Sequence, residues 1–170
     1  MNALIYLVAQ ILGSLLAGAF LELIKAKGQQ IDNSYPDFDV KNYPWWKAFL
    51  TETIGTFFLM TIIYGVAVHH KQKREVCALA IGSTLCLLIL GMGPITGAGF
   101  NPIRTLGGSV FDGRILHLFE NGEWIYFVAP FVGSPIAVIF YKFFVMNLPE
   151  IQAERKIFNQ SDLQESLTEN

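Results

Sequence analysis

Charge is scarce in this chain. Acidic and basic residues together make up 15% of its 170 residues, against about 25% in an ordinary soluble domain, and mean hydropathy is +0.41. The deficit points to a chain solvated by lipid. Positive charge is not in excess either. Twelve Lys and Arg face 14 Asp and Glu, for a net charge of -2, which argues against a nucleic-acid partner. Cysteine is nearly missing. The two present, Cys77 and Cys86, lie nine residues apart in one apolar run. That is about 13 Å along a helix, too far for a disulfide, so both read as small buried apolar residues. There is no CxxC, HExxH, GxGxxG or phosphate-binding loop. No cofactor or metal is therefore expected, and no grouping of nucleophile, base and orienting residue points to an enzyme.

What the chain has instead is long apolar sequence. Hydrophobic residues reach 52%, with 14 Phe. Four segments, 3–21, 48–68, 76–93 and 124–146, each approach the roughly 20 residues that cross a bilayer core. The first does not read as a signal peptide, because no basic stretch precedes it and Glu22 and Lys25 follow without a cleavage site. An all-α integral membrane protein with four transmembrane helices is expected. Residues 69–75, HHKQKRE, hold three Lys or Arg, and such density marks a cytoplasmic loop. Both termini then lie in the cytoplasm and residues 22–47 form a polar outer loop broken by Pro36 and Pro44. Basic residues tie at six on each side, so orientation rests on that one loop and on the aromatics. Tyr43, Trp45, Trp46, Trp124 and Tyr126 sit at the outer ends of two spans, as interfacial belts do. Lys142 snorkels toward the inner surface, and His69 and His70 read as solvated loop residues. Residues 1–147 form the membrane domain and 148–170 a cytoplasmic tail, with Pro149 ending the last helix. A sequon at 159–161 falls on the cytoplasmic side and is discounted. Ser161, Ser166 and Thr168 carry a weak phosphorylation signal.

The first and last spans repeat one another. YLVAQILGSLLAGAF (6–20) and YFVAPFVGSPIAVIF (126–140) share seven of fifteen positions at an offset of 120. Both carry a small residue every fourth place, Ala9-Gly13-Ala17 and Ala129-Gly133-Ala137, a ridge that lets helix backbones approach closely in lipid. The two spans run in opposite directions across the membrane, and inverted repeats are a hallmark of membrane transport proteins. The counterpart of residue 101 in the first repeat would fall before Met1.

Between the third and fourth spans lies PITGAGFNPIRTLGGSVFDG (94–113). Its glycines free the backbone for irregular conformations. Asn101 suits an N-cap and Pro102 the first helical position, and Asp112-Gly113 is a natural stop. A helix over 102–111 is about 15 Å long, half of a bilayer core of about 30 Å. This predicts a re-entrant half-helix that enters from outside, turns at midplane and returns. Irregular backbone at that depth is tolerated where protein buries it or water bathes it, and the helix brings its positive dipole end to that point.

TGAGFNPIRTLG resembles the second Asn-Pro-Ala box, with its arginine, of the major intrinsic proteins, the aquaporin and aquaglyceroporin family. TETIGTFFL (51–59) resembles the start of that family's fourth span, and YLVAQILGSLLAG (6–18) its third. The resemblance covers residues 3–146 and implies an incomplete aquaporin-like inverted repeat. It implies a passive channel for water or small neutral solutes, with no cofactor. Asn101 would offer its amide to passing water, Arg104 would form the positive side of the outer constriction, and Gly97, Ala98 and Gly99 would present carbonyl acceptors. Selectivity set by pore width, lining hydrogen-bond groups, an arginine and half-helix dipoles is the established account for aquaporins. Ile89 stands where strict water channels often carry His, which leans toward a wider, less polar mouth. Thr105 stands where glycerol facilitators have Asp, which leans the other way.

Two departures matter. The box reads Asn-Pro-Ile, and Ile103 is bulkier than the usual Ala. The family's first two spans and first box have no counterpart in these 170 residues. In the family two half-helices meet tip to tip, so a partner chain or a missing N-terminal half is expected. A homo- or hetero-oligomer with family members would supply the first; tetramers are the family habit. A transcript with an upstream Asn-Pro-Ala box would supply the second. The alternative function is a non-conducting scaffold, or an assembly or regulatory subunit of full-length relatives. Glu52 sits inside the second span, where a carboxylate is costly, and the resemblance implies that it accepts hydrogen bonds from the backbone of 96–100. Gln10 lies mid-span and needs a partner, which the resemblance assigns to the first-repeat network.

Overall fold

In the computed structural model, residues 2–24, 36–39, 41–69, 74–111, 114–117, 122–149 and 151–153 are described. They form five helices, α1 (Asn2–Ile24), α2 (Trp45–Ile63), α3 (Arg74–Thr96), α4 (Pro102–Phe111) and α5 (Trp124–Phe140), and no strand among the described residues. A π-helical turn extends α2 over Tyr64–His69 and another extends α5 over Tyr141–Val145. The stretches Ala3–Ile24, Trp45–Val68, Val76–Thr96 and Trp124–Val145 are long and apolar enough to cross a membrane. The fold is therefore the four-span, all-helical membrane architecture expected from the sequence. The basic loop that sets the expected orientation lies largely outside the described residues, as do Ser161, Ser166, Thr168 and the 159–161 sequon.

Large apolar side chains along α1 and α3, such as Leu4, Leu16, Leu79 and Leu90, are exposed. Lipid, not protein, is their solvent, so exposure carries no penalty there. What is buried is small or hydrogen-bonded. The α2–α5 pair makes the firmest helix seam: Ala129, Gly133 and Ala137 are all buried. A Cβ on Gly133 would strike the Thr53 carbonyl oxygen and come within 3.0 Å of the Thr56 Cβ, so only glycine permits this approach. Where α2 and α5 begin, Phe38, Ala48, Ile125, Tyr126 and Ala129 form one core cluster. The opposite ends of the two helices meet through Tyr64 and Tyr141, with ring centroids 5.1 Å apart.

The matching ridge on α1 behaves differently. Ala9, Gly13 and Ala17 are exposed, and a Cβ on Gly13 would meet nothing within 4 Å. The side of α1 that packs is its neighbour, Ser14 and Gly18, which faces α4. The Ser14 hydroxyl donates to the Ile103 carbonyl. A Cβ on Gly18 would strike the Gly107 carbonyl oxygen, and one on Gly107 would strike Ser14. The repeat is thus legible in the residues while only its second copy is covered by a helix among the described residues.

Candidate functional site

The chain leaves α3 at Thr96 and turns through 97–101 before α4 begins. Gly97, Ala98 and Phe100 have φ of 71°, 51° and 51°, the left-handed region that non-glycine residues enter at a cost of about 1–3 kcal/mol each. Surrounding contacts must therefore dictate this path. Glu52, 0% exposed, supplies most of them. Its Oε1 accepts from the Thr96 hydroxyl at 2.6 Å and the Gly99 N–H at 3.0 Å. Its Oε2 accepts from the Phe100 N–H at 2.7 Å. Tyr126 adds a fourth tie, its hydroxyl donating to the Thr96 carbonyl at 2.7 Å. Removing that hydroxyl in Tyr126→Phe strands a buried carbonyl, and thermal unfolding in detergent is expected to register a loss of about 1–3 kcal/mol.

Composition marks the loop before α2 as polar, with nothing to foretell that it reaches this site. Pro36 is buried against the turn. A Cβ on Gly97 would lie 2.7 Å from the Pro36 Cα, and one on Gly99 would lie 3.1 Å from its Cγ. Phe38 packs edge-on against Tyr126, with centroids 6.3 Å apart. Asp39 then closes the turn that leads into α2, its carbonyl accepting from the Tyr43 N–H at 2.7 Å. The Asn42 side chain donates to its carboxylate at 2.6 Å and holds that carboxyl below its ordinary range.

Asn101 caps α4, its Oδ1 accepting from the Ile103 N–H at 2.9 Å, a role suited to Asn before Pro. With the oxygen so engaged, the amide NH2 is the donor left to offer. Arg104 is drawn back over the turn: its guanidinium donates to the Ala98 carbonyl at 3.0 Å and the Gly97 carbonyl at 3.3 Å. Two of the three expected acceptor carbonyls are thus gathered on the arginine. Gly99 contributes its N–H to Glu52.

The ten residues of α4 divide into three faces at helical spacing. Ile103 and Gly107 meet α1. Thr105 and Ser109 are fully buried on another side. Asn101, Arg104 and Gly108 line a cleft of about 400 Å³ between α4 and α1, with Gln10 and Ser14 on the far wall and Ile103 at its edge. The structure therefore brings Asn101, Arg104 and Gln10 to one cavity. It does not bring Ile89 there, because Ile89 projects from α3, 39% exposed, and α3 packs on α2. Thr105 faces protein and not the cleft. No cluster of three or more His, Cys, Asp or Glu able to hold a metal occurs among the described residues.

Four helices long and apolar enough to cross a membrane, two of them packed against one short helix, define an all-helical integral membrane protein. Residues 1–141 match the model of the major intrinsic protein family, and the chain belongs to that family. It is 42% identical over 130 residues to Nodulin-26 of Glycine max, covering 76% of this chain and 44% of that protein. It is 36% identical over 132 residues to Aquaporin NIP1-2 of Arabidopsis thaliana, covering 76% and 43%. Against Aquaporin AqpM of Methanothermobacter thermautotrophicus it is 34% identical over 143 residues, covering 81% and 57%. The chain spans about half the length of the curated relatives it matches.

Proposed function

We propose that this chain supplies the Asn-Pro-Ile half of a passive channel for water and small neutral solutes, with α4 as a re-entrant half-helix opening from the outer face. The observation that carries the reading is Arg104, exposed toward the cleft and held on the Gly97 and Ala98 carbonyls. A fixed cation there repels other cations, and the positive N-terminal end of α4 adds to that barrier. The Asn101 amide donates to a solute oxygen, while Gln10 answers it across the cleft. Ile89 stands on α3, outside this cleft, and takes no part in its wall. Glu52 and Pro102 hold the pore turn in shape. Both termini face the cytoplasm, and residues 148–170 form the tail.

The cleft is walled by α1 and α4, and the α1 ridge beside it is bare. Both features favour a pore completed by further protein, either an N-terminal half or a partner chain. The bare ridge also motivates a second reading, in which the chain is a non-conducting assembly subunit of family members. Osmotic shrinkage of proteoliposomes separates these. A channel shrinks faster than empty vesicles, and Arg104→Ala is expected to admit larger neutral solutes and ions that the parent excludes. Shrinkage equal to that of empty vesicles, together with altered flux when a full-length relative is co-expressed, would support the subunit instead.

A further inference from the structure

We propose that Glu123 is a positioning residue for α4, holding its outer half through Ser109 and so setting the direction of Arg104. The inference rests on the channel reading above. Glu123 stands immediately before α5, and its side chain is 1% exposed. A carboxylate so placed could cap its own helix, yet it makes no capping bond there. Its Oε2 instead accepts from the hydroxyl of Ser109, itself fully buried on α4, at 3.3 Å. The positive end of the α5 dipole favours a carboxylate at this point, which offsets part of the cost of burying it.

The leverage comes from the three faces of α4. Its Ile103–Gly107 face is fixed by α1, and the turn that leads into it by the Glu52 network. Rotation of the outer half about the helix axis is opposed on the α5 side by the Ser109–Glu123 bond. Ser109 lies five residues beyond Arg104, about 7.5 Å along the axis, so a small turn at Ser109 re-aims the arginine.

Hydrogen exchange in lipid nanodiscs and solute flux in vesicles test this together. Ser109→Ala and Glu123→Ala are each expected to speed exchange of the 103–111 amides about tenfold, the effect of losing one hydrogen bond to a charged group, with α2 unchanged. The Ser109→Ala/Glu123→Ala double variant should be no worse than either single. Both variants should raise the permeability ratio of a larger neutral solute to water. Glu123→Gln, which keeps an acceptor oxygen, should restore exchange and ratio toward the parent. Parental exchange in Ser109→Ala would overturn the proposal. So would faster exchange with an unaltered ratio in a conducting protein, or a Glu123→Ala effect spread equally over α2, α4 and α5. If the parent conducts no better than empty vesicles, the channel reading has failed, and the exchange of α4 alone still decides whether Glu123 holds the helix.

Discussion

Replacing Glu52 by alanine is expected to abolish flux and to destabilise the protein by roughly 3–5 kcal/mol. Three donors, the Thr96 hydroxyl and the Gly99 and Phe100 N–H groups, converge on this carboxylate at 2.6, 3.0 and 2.7 Å. Each unsatisfied buried donor costs about 1–3 kcal/mol, and whole domains are stable by only about 5–15 kcal/mol. The usual conservative change should be nearly as damaging. Glutamine offers one oxygen and one NH2. With its oxygen toward Phe100, the NH2 meets the Gly99 N–H; the Thr96 hydroxyl can turn to accept, but a backbone N–H cannot. With the amide reversed, the NH2 meets the Phe100 N–H. Either way two donors oppose each other, and the left-handed path through Ala98 and Phe100 loses what dictates it. Circular dichroism melts and vesicle shrinkage of Glu52→Gln and Glu52→Ala check this. Parental stability and flux in Glu52→Gln would refute the account.

Much of this architecture is legible in the sequence, for reasons that differ from element to element. The spans are readable because lipid imposes length and apolarity on each helix separately. The limits of α4 are readable because a cap, a proline and an Asp-Gly stop are local signals. Glu52 stands out because a carboxylate inside a span needs an explanation. Contacts between distant segments leave no such mark. Pro36 reads as a loop breaker, and nothing nearby announces that it seats against Gly97 and Gly99. Glu123 follows Gly122 in sequence, and no local signal names its partner Ser109 on α4. The repeat shows the same limit. The two ridges are alike as sequence, yet Gly133 is in close contact with α2 while a Cβ on Gly13 would meet no described residue within 4 Å, because a ridge records its own shape and not which helix covers it. Ile89 and Thr105 take their meaning in the sequence from family positions, and only packing reveals that Ile89 stands outside the cleft lining and that Thr105 is buried in protein.

The second large effect separates two kinds of glycine. Gly55→Ala and Gly107→Ala each place a methyl group where another atom already sits, and overpacking of this kind costs about 1–3 kcal/mol, occasionally more. The obstacles differ. At Gly55 the three atoms nearest the methyl all belong to the ring of Phe100, the far part of a side chain. At Gly107 it meets both the hydroxyl and the backbone carbonyl of Ser14. Gly55→Ala is therefore expected to be rescued by shrinking the ring: Gly55→Ala/Phe100→Leu should recover most of the lost stability. Gly107→Ala should not be rescued by Ser14→Ala, because the carbonyl remains and the bond to Ile103 is lost as well. In flux, Gly107→Ala is expected to be the more severe, since separating α1 from α4 opens the cleft that holds Gln10, Asn101 and Arg104. Unfolding and shrinkage measured on the four singles and both doubles form two mutant cycles. A strong coupling at 55/100 with little at 14/107 is the expected pattern. Equal rescue in both would mean that α1 can shift away from α4 at little cost, and the cleft would then not be a rigid wall of the passage.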